Sequence, residues 1–544
     1  MAADSEAFIA ARTRVAALRA ALEASEGAPV RLIETHISWV LLAGSSAYKL
    51  KKPVRLPFLD FTTLAARRRF CDEELRLNRR LAPELYLEVV EVRDAPSGPC
   101  FGGAGELVDV ALRMRRFPDG ALWSERLGAG TLEASHIDAI AGRLAEFHRD
   151  ASVAPPDGAF GSAAVHERVT RRLVAGIDAW QAGIASPDPG WPALRGWLER
   201  ERVRLARHWS IRLRSGRVRE CHGDLHLANV LQLGDRATAF DGIEFDAELR
   251  WIDVLEDIAF LAMDLLAHGR RDFAFRLLDA YLEATGDHDG VPALRFYLVS
   301  RALVRAQVAA LGEGQGIATT AGCAAGDYLK LAAALAAGSD ARLAITHGLP
   351  GSGKSFASQR LLEAAGALRV RSDVERKRLF GLDPLEPSHE HVAGGIYDAA
   401  TTERTYLRLL AVAHTVLGAG WPLLVDAAFL RRCERARFAA LAAALAVPFS
   451  IVDCRAPARV LRERIVRRQA GPGDASEADL AVLERLAASA EPLDDDEQAL
   501  AIAVDSQHPE PADRMARRWR AAPGHIDSGD AAALELRQRR THGP

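Results

Sequence analysis

Hydrophobic positions recur at helical spacing over residues 5–26, and the pattern then changes to alternation. His36–Leu42 and Ala47–Lys51 read as strands, with Gly44-Ser45-Ser46 as a tight turn between them. Leu64–Leu81 returns to the helical period, and Leu85–Arg93 and Leu107–Arg115 read as strands again. Residues 131–150 and much of 162–335 read as helix, interrupted by the less regular segment 218–246. After the weakly apolar stretch 338–342 the pattern restarts in another form. Short apolar runs at Leu343–His347, Leu368–Arg371, Leu423–Asp426, Phe449–Asp453 and Leu500–Val504 are separated by helical stretches. Continuous apolar strands between helices predict a parallel sheet covered on both faces. No internal repeat is visible.

Length and composition narrow this only coarsely. A chain of 544 residues predicts two or three domains. Apolar content of 49% and charged content of 26% are those of globular proteins. A net charge of −3 supplies no bulk attraction for nucleic acid or anionic membrane. No run of about 18 apolar residues predicts a membrane span, and the acidic start Met1-Ala-Ala-Asp-Ser-Glu lacks a basic-then-apolar signal pattern. The six cysteines form no CxxC pair, so neither a zinc site nor a disulfide framework is expected and the cytoplasm is the simplest compartment. Lysine is scarce, with six among 70 basic residues. Lys49, Lys51, Lys52 and Lys354 fall in candidate phosphate sites, and Lys377 falls in a candidate substrate segment. A compact ammonium is not interchangeable with a guanidinium where phosphate oxygens are approached closely.

Two segments carry chemistry. The first is His222-Gly223-Asp224-Leu225-His226-Leu227-Ala228-Asn229, followed by Asp241 after the short strand Ala237–Phe240. It has the grammar of a protein-kinase catalytic loop. Asp224 is the candidate acceptor of the proton from an attacking hydroxyl. Asn229 and Asp241 are candidate magnesium ligands. Lys49 is the candidate for the α- and β-phosphates, with Lys51 in reserve, and Glu74 on the following helix is its candidate partner. Alternation puts Lys49 and Lys51 on one strand face and Lys52 on the other. Each of these residues has a bland alternative: packed histidines, a turn-capping aspartate, a surface glutamate. The ordered set of Lys, Glu, Asp, Asn and Asp favours the functional reading.

Residues 30–335 resemble the aminoglycoside phosphotransferase group, small-molecule kinases of protein-kinase fold. The likeness rests on His222–Asn229 and on Phe240-Asp241-Gly242-Ile243-Glu244-Phe245. Tyr48-Lys49-Leu50-Lys51-Lys52-Pro53-Val54, with Phe58-Leu59-Asp60-Phe61, resembles an uncharacterised branch in which the kinase is often fused to a P-loop domain. Two departures from protein kinases imply an unregulated small-molecule kinase. Gly223 stands where a phosphate-sensing arginine would be, and Asp241-Gly-Ile-Glu replaces Asp-Phe-Gly. A full GxGxxG loop is missing, so Gly44-Ser45-Ser46 is expected to cover the phosphates. Glu244, Arg250, Asp253 and Asp257 either shape an acceptor pocket or form an ion-pair network.

The second segment is Gly348-Leu349-Pro350-Gly351-Ser352-Gly353-Lys354-Ser355, a full GxxxxGK[ST] between an apolar strand and a helix. Its backbone amides predict an anion nest at a helix N-terminus. Lys354 is the candidate for the β- and γ-phosphates, Ser355 for magnesium, and Asp426, closing an apolar strand, for metal support. Asp373 in Arg371-Ser372-Asp373-Val374-Glu375-Arg376-Lys377 is a candidate base, and Arg376 a candidate for an anionic acceptor. Arg464, Arg467 and Arg468, before Gly471-Pro472-Gly473, read as a lid, with Arg467 as the catalytic choice. This half resembles P-loop kinases of the gluconate kinase, polynucleotide 5′-kinase and zeta-toxin type.

The expectation is a protein-kinase-like α+β domain over 1–337, a linker at 338–342, and an α/β P-loop kinase-like domain with a mainly parallel doubly wound sheet over 343–506. A charged, loose tail is expected over 507–544. The expected activity is ATP- and magnesium-dependent phosphotransfer to a small-molecule hydroxyl, with both domains binding ATP. Nucleic-acid and membrane partners are not expected, and the sequence leaves the oligomeric state open. Three rivals remain: a regulatory ATP-binding switch between the domains, an aminoglycoside-modifying enzyme, and a polynucleotide 5′-kinase.

Overall fold

The computed structural model describes residues 6–56, 59–314, 323–386, 396, 398–469 and 476–522. Phe58 and Gly471-Pro472-Gly473 lie outside the described residues. Packing divides the chain into two compact units. One comprises residues 1–189, 195–264 and 301–326, and the other comprises 190–194, 265–300 and 327–544. The helix Arg271–Thr285, expected with the first domain, therefore packs in the second unit.

The first unit opens on the helix Glu6–Glu26 and a six-stranded antiparallel sheet. The spatial order is Arg31–Glu34, Ser38–Ala43, Ser46–Lys51, Glu106–Arg115, Tyr86–Ala95 and Gly98–Phe101. The two outer strands and a short pair, Arg55–Leu56 with Leu59–Asp60, add to the four the sequence predicted. Gly44 and Ser45 form the two-residue turn that pairs Ala43 with Ser46. Gly44 has φ +52°, a left-handed backbone that glycine adopts without strain. The helix Leu64–Asn78 is capped by Thr63, whose hydroxyl accepts from the Ala66 N–H, a contact worth about 1 kcal/mol. Helix Ala134–Asp150 buries Ile137, Ile140, Ala141, Leu144 and Phe147, the one-sided stripe its periodicity predicts. The segment with the His222–Asn229 motif runs through two small antiparallel pairs among the helices, a long-range one joining Val218–Glu220 to Trp251–Asp253 and a hairpin joining Val230–Leu233 to Arg236–Ala239.

The second unit holds a five-stranded, wholly parallel sheet. Its order is Leu368–Arg371, Leu423–Asp426, Leu343–His347, Phe449–Arg455 and Ala501–Asp505. The first strand in sequence is central, so the loop leaving its carboxyl end sits at the switch point where such sheets bind ligands. All five strands fall where the apolar runs put them. The loose tail does not hold for its first part. Helix Ala512–Ala521 buries Met515, Ala516 and Trp519, and Arg342 donates to the Trp519 carbonyl at 2.9 Å. Its Arg-rich exposed face had masked an i, i+4 apolar stripe. Residues 523–544 lie outside the described residues.

Candidate active sites

In the first unit, strand Ser46–Lys51 presents two lysines to one glutamate. Lys49 Nζ donates to Glu74 Oε1 at 2.8 Å and also to Asp241. Lys51 Nζ donates to Glu74 Oε2 at 2.6 Å and also to Glu244. Glu74 is fully buried, as is Lys51, whereas Lys49 reaches the half-exposed Asp241. Burial works against the Glu74 carboxylate, but the two ammonium groups overcome it and hold its pKa at about 2. Burial likewise opposes the Lys49 charge, and Asp241 and Glu74 more than offset it, pushing its pKa up. Burial, only partly offset by Lys51, pushes the Glu244 pKa up.

The turn carrying Asp241 is held from three sides. Its own N–H donates to the Tyr86 hydroxyl at 3.0 Å, and Gly242 N–H donates to Asn78 Oδ1 at 2.8 Å. His222 Nε2 bonds the Phe240 carbonyl at 2.8 Å. Asp241 has φ +63°, a conformation rare for a residue with a side chain and maintained only when its surroundings impose it. Asn229 Nδ2 donates to the Asp224 carbonyl at 2.9 Å and to its Oδ2 at 3.1 Å. Burial would raise the Asp224 pKa, but His226, Arg305 and His222 carry it well below the usual carboxylate range. Five of the predicted residues thus fall in two contact groups, Lys49, Glu74 and Asp241 in one and Asp224 with Asn229 in the other, and the Phe240 N–H, next to Asp241, donates to the Asn229 carbonyl at 3.0 Å. The donors left for a cation there, the Asn229 amide oxygen and the Asp241 carboxylate, are hard oxygens of the kind magnesium takes.

The acidic residues after Asp241 form a supporting network. Asp257 accepts from the His222 and Gly223 N–H groups at 3.0 and 2.8 Å and bonds His148 Nε2 at 3.1 Å. Asp253 takes Arg212 at 2.6 and 2.7 Å, and Glu256 pairs with Arg301 at 3.0 Å. All three are buried and paired, so they offer no acidic surface to a polycationic drug. Arg250 bridges Glu73 and Glu220. Gly223 has φ +86°, and a Cβ there would lie 2.6 Å from the Leu249 carbonyl oxygen. No arginine can occupy that position in this backbone. Sequence reasoning missed the second lysine–glutamate bridge; the Lys51 spacing and the carboxylate in Asp241-Gly-Ile-Glu244 were the available signals.

In the second unit, Gly348, Gly351 and Gly353 all have positive φ. A Cβ on Gly348 would lie 2.5 Å from the Cys454 carbonyl oxygen and 2.6 Å from Ser352 Oγ. The loop therefore curls tightly into the N-terminus of helix Lys354–Ala365. Ser352 Oγ is buried with no hydrogen-bond partner, a group suited to a phosphate oxygen. Lys354 Nζ donates to the Leu349 carbonyl at 3.1 Å, and burial, partly offset by Asp426, lowers its pKa. Asp426 accepts from Thr346 Oγ1 at 3.4 Å and from Ser358 Oγ at 3.3 Å. With the Ser355 hydroxyl it makes an oxygen donor set that fits magnesium.

A cavity of about 740 Å³ runs from this loop past Ser355, Asp426 and Arg371 to Asp373, Arg376 and Thr402. Arg376 donates to Thr402 Oγ1 and to the Ile396 carbonyl, both at 3.1 Å. Of the three lid arginines, Arg464 and Arg468 line the cavity; Arg467 is exposed and does not. Arg464 donates to the Gly351 carbonyl at 3.0 Å, which ties its helix to the loop. Lys377, expected near the substrate, is buried against Glu477 at 3.1 Å.

Residues 54–297 match the profile of the phosphotransferase enzyme family, and residues 343–493 match that of an AAA domain. "Uncharacterized protein Rv2004c" of Mycobacterium tuberculosis is 32% identical over 467 residues, which span 81% of this chain and 87% of the relative. "Uncharacterized protein Mb2027c" of Mycobacterium bovis has the same identity and coverage. The chain belongs to their family. It joins a phosphotransferase domain of aminoglycoside-phosphotransferase type to a P-loop kinase domain, and it is an enzyme of the kinase class. Similar solved structures include a choline/ethanolamine kinase family protein from Mesorhizobium loti (14% identity, 60% of this chain, 99% of that chain, TM-score 0.34). A gluconokinase from Sinorhizobium meliloti is similar over the other half (20% identity, 37% of this chain, 99% of that chain, TM-score 0.23). No helix among the described residues is long and apolar enough to cross a membrane.

Proposed function

We propose that this phosphotransferase uses ATP and magnesium to phosphorylate a hydroxyl of a small-molecule acceptor, and that both units bind ATP. The observation that carries the reading is the joined set Lys49–Glu74–Asp241 beside Asp224–Asn229. Magnesium, when bound, would neutralise charge developing on the phosphates; Asn229 and Asp241 would hold it in one unit, and Ser355 and Asp426 in the other. Lys49, fixed by Glu74, would hold the α- and β-phosphates. Asp224, kept ionised, would accept a hydrogen bond from the acceptor hydroxyl. Its depressed pKa makes it a weak base, so it orients the hydroxyl first and takes the proton late. In the P-loop unit, Lys354 would hold the terminal phosphates, Arg464 and Arg468 would face the transferring group, and Asp373 would stand as base. The cytoplasm remains the expected compartment.

The test is Mg-ATP binding and turnover by the full chain against sugars, polyols, aminoglycosides and oligonucleotides. Asp224→Asn is expected to keep Mg-ATP binding and lose roughly 10²–10⁴-fold in transfer at the first unit. Asp241→Asn is expected to weaken Mg-ATP binding itself. If Asp224→Asn abolishes nucleotide binding and Asp241→Asn does not, the two roles are reversed. Lys354→Ala is expected to remove the second nucleotide site; unchanged stoichiometry refutes a working P-loop.

A further inference from the structure

Asp426 is tied to the helix Arg271–Thr285 by two side-chain chains. In the first, Asp279 takes Arg369 at 2.7 Å, Arg369 donates to Ser358 Oγ at 3.1 Å, and Ser358 donates to Asp426. In the second, Glu283 takes Arg371 at 2.9 Å, and Arg371 Nε stands 3.7 Å from Asp426 Oδ2. Arg369 and Arg371 belong to one strand, and Arg371 is the register neighbour of Asp426 on the next. A third contact fixes the same helix: Arg378 donates to the Glu283 carbonyl. The helix is remote in sequence from the P-loop profile and lies within the residues that match the phosphotransferase profile.

We propose that Glu283 is a positioning residue for the P-loop site: it holds the Arg371 guanidinium back from Asp426, so that the Asp426 carboxylate stays available for a divalent cation. The proposal rests on the P-loop reading above. Glu283 and Asp426 both lie within ion-pair reach of Arg371. It makes a hydrogen-bonded pair with Glu283 and only a longer contact with Asp426. Without the Glu283 charge, Arg371 turns toward Asp426, already 3.7 Å away, and neutralises it. Asp279 works alongside, since it fixes Arg369 and through it Ser358, which orients the same carboxylate. Moving a unit charge from 3.7 Å to hydrogen-bond distance at an effective dielectric of about 20 is worth about tenfold in an equilibrium constant.

The test uses the full chain and a fluorescent ATP analogue titrated with Mg²⁺, with the P-loop signal defined as the part lost in Lys354→Ala. Glu283→Gln is expected to raise the Mg²⁺ half-saturation of that signal about tenfold, with Mg²⁺-free nucleotide binding unchanged. In an Arg371→Gln background the same change is expected to have no effect, because the Arg371 guanidinium is gone and Arg369, 3.8 Å from Glu283, stays held by Asp279 at 2.7 Å. A shift of equal size in both backgrounds, or none in either, overturns the proposal. A merely structural Glu283 would lower stability in both backgrounds without this dependence. If Glu283→Gln does not fold, Glu283→Asp replaces it; its shorter reach is expected to give a smaller shift in the same direction, and no shift refutes the idea. If Lys354→Ala removes no signal, the P-loop reading fails instead.

Discussion

Two lysines share the carboxylate of Glu74, and their surroundings predict opposite phenotypes. Lys51 is buried between Glu74 and Glu244, with its Nζ also 5.0 Å from the Phe61 ring centroid. Lys51→Met removes the cation and leaves Glu244 buried without it. Breaking a buried ion pair on one side costs about 3–5 kcal/mol. For a domain of this size each kcal/mol moves Tm by about 2–4 °C, so a loss on the order of 10 °C is expected. Lys49 has Asp241, which is half-exposed, as its second partner. Lys49→Met leaves Glu74 paired with Lys51 and is expected to spare most of the stability while removing the contact to the α- and β-phosphates. The assay is differential scanning calorimetry of the full chain with Mg-ATP titration of each variant. A Lys51→Met protein of unchanged Tm that has lost nucleotide at the first unit, beside a Lys49→Met protein that still binds, would refute the assignment.

The acid response follows from the same cluster. Glu74 has a folded pKa of about 2, below its ordinary 4.5, so its contribution is fully present above pH 4.5 and is lost as the pH falls toward 2. That is on the order of 3 kcal/mol for the first unit, and Glu74→Gln should flatten this limb of a stability-against-pH curve. In the second unit, Trp519→Ala is expected to cost about 3–5 kcal/mol, because Trp519 is buried; urea unfolding of the full chain measures it. An unchanged transition would show that helix Ala512–Ala521 contributes no core.

What was legible in the sequence is what is local. The strand-to-helix turn of the P-loop, the catalytic loop and the five apolar strands are each written within a few consecutive residues. The lysine and glutamate of the first site are 25 residues apart, and kinase-like order was enough to pair them. The face of a helix was less legible. Arg464, Arg467 and Arg468 are chemically alike, and only the rotation of their helix separates the two at the cavity from the one outside it. The helix over 512–521 was hidden for a related reason: its charged residues set the local composition, while Met515 and Trp519 carry the packing.

The boundary between the units shows the limit most clearly. Composition places it at 338–342, where the apolar pattern lapses. Packing places residues 265–300 in the second unit. Buried charge is one of the ties that hold them there. Arg369 sits on a sheet strand with its guanidinium buried, and its nearest carboxylate, Asp279, is 90 residues earlier in the chain. A buried guanidinium without a carboxylate is strongly unfavourable. Helix Arg271–Thr285 supplies Asp279 and Glu283, the carboxylates that pair with Arg369 and Arg371 of strand Leu368–Arg371. Hydrophobic periodicity records which face of an element is buried, but not which distant element neutralises a charge on it. A pairing of that kind becomes visible only when the strand and the helix are seen together.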